Sequence, residues 1–141
     1  MNPNIAIKIT SNKLNLQDCY DFVQDDSCGG IAFFIGTVRN LTQDKKVTLL
    51  DFSTYTPMAI KEMEKIAKQA IEQFSIKKIA IHHAKGKLEI GEIPVIIAVS
   101  SPHRKDAFKA CQFAIDSLKE TVPIWKKEHF TNGEVWVNAH P

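Results

Sequence analysis

At 141 residues with a formal net charge of +2, the chain is long enough to bury a core and too evenly charged for wholesale nucleic-acid binding. Its 44% hydrophobic and 24% charged residues are ordinary for a globular chain, and no apolar run approaches membrane-spanning length. Cys19, Cys28 and Cys111 are odd in number and lack CxxC spacing, and MNPN does not open a signal peptide, so a reducing cytoplasm is the expected setting.

Ile5, Ile7 and Ile9 alternate with polar residues, the pattern of a half-buried strand. Residues 16–23 suit a short helix capped by Asn15. After Gly29-Gly30 the run GIAFFIGTVR, 30–39, is a strand too apolar for a wet face. Residues 42–46 read as a polar turn and 47–55 as a strand packing through Val47, Leu49 and Phe52; these two strands are expected to pair as a hairpin. Pro57 opens a helix over 58–74, whose inner face carries Met58, Met63, Ile66, Ala67, Ala70, Ile71 and Phe74. A strand at 77–83 follows, then turns at Gly86 and Gly91 around 88–90, and a β-branched strand at 95–99.

That strand runs straight into SSPHRKDAFKACQFAIDSLKETVPIWKKE, 100–128, around which the chain is organised. Ser101 suits a helix cap and Pro102 the first helical position. Phe108, Cys111, Ala114, Ile115, Leu118 and Val122 form the buried stripe, and Pro123 stops the helix near Glu120 or Thr121. Strands at 125–130 and 134–137, joined by a turn at Asn132-Gly133, complete one expected α+β domain over 1–141, with two main helices on a mostly antiparallel sheet.

Cations stand at both ends of the organising helix. His103 and Arg104 meet its amide-rich start, an arrangement suited to phosphate, while Lys119 lies in the last turn where the dipole favours a cation. Lys126 and Lys127 follow Trp125, and Arg39 closes the FIGTVR strand. Each has a bland reading as a solvated charge. A lysine becomes a proton-transfer group when burial or neighbouring cations make its neutral form accessible. His82 and His83 are adjacent on a strand, point to opposite faces and have no third ligand at a recognisable spacing, so no metal site is expected.

FIGTVR at 34–39, YTPMA at 55–59, SSPHR at 100–104 and AIDSLKETVPIWKKE at 114–128, in this order, resemble the large, catalytic subunits of molybdopterin synthase. The resemblance implies an α/β hammerhead with an additional antiparallel β-sheet. It implies sulfur transfer from the C-terminal thiocarboxylate of a small ubiquitin-like partner to cyclic pyranopterin monophosphate, forming the dithiolene of molybdopterin without a metal or organic cofactor. It also implies a homodimer carrying one small subunit at each outer end, a heterotetramer. By motif, Lys119 and Lys126 would be catalytic. Arg39, His103 and Arg104 would bind substrate, joined by Thr37 and Val38 of FIGTVR and by Lys127 and Glu128 as pocket wall; Phe34 and Phe113 would add apolar walls. At 83–86 this chain has His-Ala-Lys-Gly where the family commonly has His-Arg, an aliphatic residue and Gly.

If the helix is unbroken, Arg104 and Lys119 lie roughly 22 Å apart, too far to touch one small molecule from one chain. A site shared across a two-fold axis is therefore expected, with His103 and Arg104 from one subunit and Lys119 and Lys126 from the other. The competing reading is a non-catalytic phosphate-ligand-binding or adapter protein on the same fold, which would need the arginines but not the lysine pair. A nucleic-acid-binding module would need exposed aromatics interleaved with basic residues, and here the aromatics fall in apolar patterns.

Overall fold

The computed structural model describes residues 2–131 and 133–138, the stretch 134–138 by its backbone; Asn132 of the expected turn lies outside them. Four strands, β1 (Ile5–Thr10), β5 (Lys78–Ala84), β7 (Val95–Ser101) and β2 (Gly30–Gly36), form one sheet in the order β1-β5-β7-β2. Only β1 and β5 pair in parallel among the described strands. The second sheet runs β3 (Leu41–Thr42), β4 (Lys45–Thr54), β8 (Ile124–Phe130), β9 (Gly133–Asn138), with β6 (Gly86–Glu89) also paired to β4. The expected α+β architecture, two long helices on mostly antiparallel strands, is the one observed.

Helices α2 (Thr56–Gln73) and α3 (Arg104–Thr121) cover one face of the first sheet and the short α1 (Leu16–Val23) covers the other. This explains why β7 is buried throughout: Val95, Ile97 and Val99 face the large core, while Ile96 and Ala98 face α1. Asn15 caps α1 as expected, its side chain accepting from the amides of Gln17 and Asp18. Val122 is extended with ψ 129, and α3 ends there because Pro123 excludes the helical conformation before it.

Several local expectations are corrected. Strands β2 and β4 do not form a hairpin; β2 pairs with β7, and β4 with β3, β6 and β8, so residues 37–40 carry the chain between sheets. The turn at 42–46 shrinks to Gln43 and Asp44, both with positive φ (48 and 66), which leaves Thr42 and Lys45 free to pair. A register shift between Val47 and Leu49 switches the inward face from odd to even positions, so Leu50 and Phe52 are buried and Leu49 only partly so. Residues 86–89 are a strand rather than a turn, with the positive φ at Gly86 and Gly91 bounding the segment. Met58 and Phe108 are 53% and 63% exposed, each lying beside the buried arc of its helix rather than in it. Pro102 stays outside α3, whose N-cap is His103, and the Ser101 hydroxyl instead bonds the His103 carbonyl.

Two glycines set where α3 starts. A Cβ on Gly30 would lie 3.1 Å from the Arg104 Cα and 3.3 Å from its nitrogen, and one on Gly29 would lie 3.0 Å from the Pro102 carbonyl oxygen. The obstacles are backbone and cannot rotate away. Gly30→Ala is expected to lower stability by about 1–3 kcal/mol, read from the urea midpoint. An unchanged midpoint would show that the start of α3 is free to shift.

Candidate active site

Crossings between the sheets converge at one end of the first sheet, at 37–40, at Tyr55, at Lys85 and at 122–123. There a row of paired residues, His83, Val95 and Gly36, spans β5, β7 and β2. Beside this seam lies a cavity of about 280 Å³. The first sheet supplies Phe34, Gly36 and His83, the second supplies Leu50, Phe52, Lys126 and Glu128, and α3 closes it with Ile115, Leu118 and Lys119. Thr37, Arg39 and Thr42 complete the wall from the crossing loop and β3.

Strand alternation selects which charges enter. Residues directly opposite in an antiparallel pair share a face, so Lys126 and Glu128, opposite Phe52 and Leu50, point with them into the cavity. Lys127, between them, belongs to the other face and does not line the cavity, which corrects its expected place in the wall. Val38 is likewise absent from the lining: it is 2% exposed, with its N–H on the Glu92 carbonyl at 2.9 Å and its carbonyl accepting from Gly91 at 2.8 Å. These bonds and Asn40's carbonyl, which accepts from Val47 at 2.8 Å, hold the backbone on both sides of Arg39. Phe34 lines the cavity; Phe113 packs on Phe74 at 5.7 Å instead.

Arg39, Lys119 and Lys126 face one carboxylate, Glu128, so the wall carries an excess of positive charge suited to an anion. Glu128 is 4% exposed, and the Thr42 hydroxyl donates to its Oε2 at 2.8 Å. That bond ties β3 to β8, with Thr42 in a strand rather than in the expected turn. His103 and Arg104 are elsewhere: exposed beside Gly29, Lys105 and Phe108, they stand at the far end of α3. With fifteen positions of continuous helix between Arg104 and Lys119, the separation is roughly 22 Å.

The two histidines face opposite ways as their alternation requires. His82 lies toward α1, its Nδ1 3.3 Å from the Cys19 sulfur. Burial, with the charge of Asp18 adding to it, pushes the Cys19 thiol up to about 11, and burial together with Lys8 lowers His82. The pair is a neutral thiol against a neutral imidazole, not an activated nucleophile. His83 turns to the cavity side, 4% exposed, edge-on to Phe52 at 5.3 Å and bonded through Nδ1 to the Ala84 carbonyl at 2.6 Å. Burial outweighs that bond and lowers it to about 4.

This has a consequence for stability. Between pH 6.5 and about 4 the unfolded chain binds a proton at His83 that the folded chain does not, so stability falls as pH falls through that window and is unaffected by this group above it. The full loss is about 3 kcal/mol. Urea unfolding at pH 7 and pH 4 is expected to show a shallower pH dependence in His83→Gln than in wild type; equal slopes would contradict the burial of a neutral ring.

A seam between two sheets, walled by cations and closed by a helix, defines a mixed α/β protein with a cationic cavity between its sheets. The family model described as "MoaE protein" matches residues 9–121, and the chain belongs to that family. It is 47% identical over 131 residues to a molybdopterin synthase catalytic subunit of Dictyostelium discoideum, covering 92% of this chain and 83% of that protein. The crystal structure of molybdopterin synthase from Staphylococcus aureus superposes with a TM-score of 0.86 at 37% identity, covering 97% of this chain and 98% of that one. A chain in the complex of subunits 1 and 2 of molybdopterin-converting factor from Helicobacter pylori 26695 shares the fold, with a TM-score of 0.76 at 22% identity over 93% and 89% of the two chains.

Proposed function

We propose that this protein is the catalytic subunit of a molybdopterin synthase, a sulfurtransferase acting on cyclic pyranopterin monophosphate. The observation that carries the reading is the convergence of Arg39, Lys119 and Lys126 on one cavity in a chain of this family. The sulfur donor is the C-terminal thiocarboxylate of a small ubiquitin-like partner, whose tail reaches the cavity. Its sulfur attacks the pterin side chain, the cyclic phosphate opens, and water then cleaves the thioester to leave sulfur on the pterin and a carboxylate on the carrier. Cations at Arg39 and Lys126 offset the charge that develops, and Lys119 moves the proton.

His103 and Arg104 serve the site of the other subunit in a two-fold dimer, and two small subunits make the assembly a heterotetramer. The separation of the two ends of α3 supports this arrangement. No helix among the described residues is long and apolar enough to cross a membrane, and we place the enzyme in the cytoplasm, acting as one domain. The test is molybdopterin formation from cyclic pyranopterin monophosphate and a thiocarboxylated small subunit. Product establishes the activity; no product with the pterin still bound would favour a non-catalytic phosphate-ligand-binding adapter.

A further inference from the structure

His83 stands in the cavity wall with no task in the reaction above. Its Nδ1 lies 2.6 Å from the Ala84 carbonyl oxygen, which can only accept, so Nδ1 carries the hydrogen and Nε2 is a bare lone pair. Nε2 has no protein partner among the described residues. This nearly buried ring is part of the cavity wall, and Nε2 is the polar atom it has left to offer there. The edge-on packing of Phe52, at 5.3 Å and 73°, and the carbonyl bond fix the ring from two sides.

A neutral, acceptor-only nitrogen cannot hold a phosphate or a carboxylate, which offer acceptors themselves. It complements an N–H or O–H donor. Arg39 and Lys126 supply donors to the anionic part of a ligand, so the cavity holds two different chemistries: cations for the phosphate and one neutral acceptor for the rest. A pterin, whose heterocycle carries ring and exocyclic N–H groups, is a ligand that uses both.

We propose that His83 is a specificity-determining residue whose Nε2 accepts a hydrogen bond from an N–H of the pterin ring, orienting the heterocycle while the cations hold the phosphate. This rests on the reading of the cavity as the sulfur-transfer site. The Nδ1–H tautomer is what makes the position an acceptor, and a donor at the same place would repel the ring N–H it is meant to receive.

Two measurements test it. In the reconstituted reaction, His83→Phe keeps the ring and its packing but removes the lone pair, and is expected to raise KM for the pterin about tenfold with kcat within about twofold. His83→Gln, whose amide oxygen can stand near the Nε2 position, should recover most of that loss. Wild-type KM in His83→Phe would overturn the proposal. Because a core variant can lose its fold, the second measurement uses wild-type protein: the ¹⁵N resonance of His83 Nε2 should start as an unprotonated nitrogen and move upfield on adding cyclic pyranopterin monophosphate. If other cavity resonances respond and Nε2 does not, His83 does not read the ring. Absence of product from wild type would sink the sulfur-transfer reading alone, since the titration still reports whether the ring is held.

Discussion

Lys119→Arg is expected to lose molybdopterin formation almost as completely as Lys119→Ala, a fall in turnover of about 10²–10⁴-fold in both. Lys119 sits in the last turn of α3 and lines the cavity, next to the buried Leu118 that anchors the helix there. A cation at that place is favoured by the helix dipole alone, so charge by itself does not distinguish a catalytic lysine from a structural one. Titration does. Arginine preserves the charge, the dipole interaction and much of the reach, but its guanidinium does not give up a proton in a working enzyme. The comparison is made by single-turnover kinetics with thiocarboxylated carrier in excess, and with circular dichroism to show that both variants keep their helices. Near-wild-type turnover in Lys119→Arg would leave Lys119 with an electrostatic role and move the proton transfer to Lys126 or to solvent.

Mixing inactive His103→Ala and Lys119→Ala subunits should restore activity to about a quarter of wild type, the second large effect. Free exchange makes about half of the dimers mixed. In a mixed dimer with shared sites, one site receives both substitutions and the other receives His103 from one chain and Lys119 from its partner, both intact. The physical basis is the continuity of α3: no break or kink brings His103 and Arg104 back toward Lys119, and they open on a different surface, with Gly29 and Phe108. Subunit exchange is followed independently with two affinity tags. A mixture that exchanges yet stays inactive would mean that His103 acts within its own chain or not at the cavity at all.

The charge pattern around α3 was legible because it lies within one continuous segment. Pro123 ends the helix, Lys119 falls in its last turn, and the strand that follows presents Lys126 and Glu128 together by simple alternation. The same alternation, applied one residue further, would have turned Lys127 away from the cavity and His83 toward it. Periodicity thus determines which residues of an element travel together, and it determined the longer strands, the two long helices and the spacing of Lys119 and Lys126, while the short β3 and β6 escaped it. Pairing it could not determine. Strands β2 and β4 are neighbours in sequence yet belong to different sheets, because β2 finds its partner in β7, some sixty residues later, and β4 finds its partners in β6 and β8. Adjacent apolar strands carry no local mark that tells a hairpin from a crossing.

That crossing is what creates the site. Because the chain leaves the first sheet at 37–40 and again at Lys85, comes back through Tyr55 and through residues 90–94, and passes from α3 into β8 at 122–123, the sheets meet at a seam where Arg39, His83, Lys119 and Lys126 are brought to one cavity from four separate segments. Burial of Phe52 and Leu50 depends on the bulge after Val47, and the hydroxyl of Thr42 reaches Glu128 only because β3 folds back on β4 through two positive-φ residues. The sequence by itself determined the chemistry available, a set of cations, a carboxylate and a histidine on defined faces of defined elements. Only the tertiary structure decided their company, since hydrogen-bond pairing between distant strands is governed by the burial of the whole core and not by the few residues on either side of a loop.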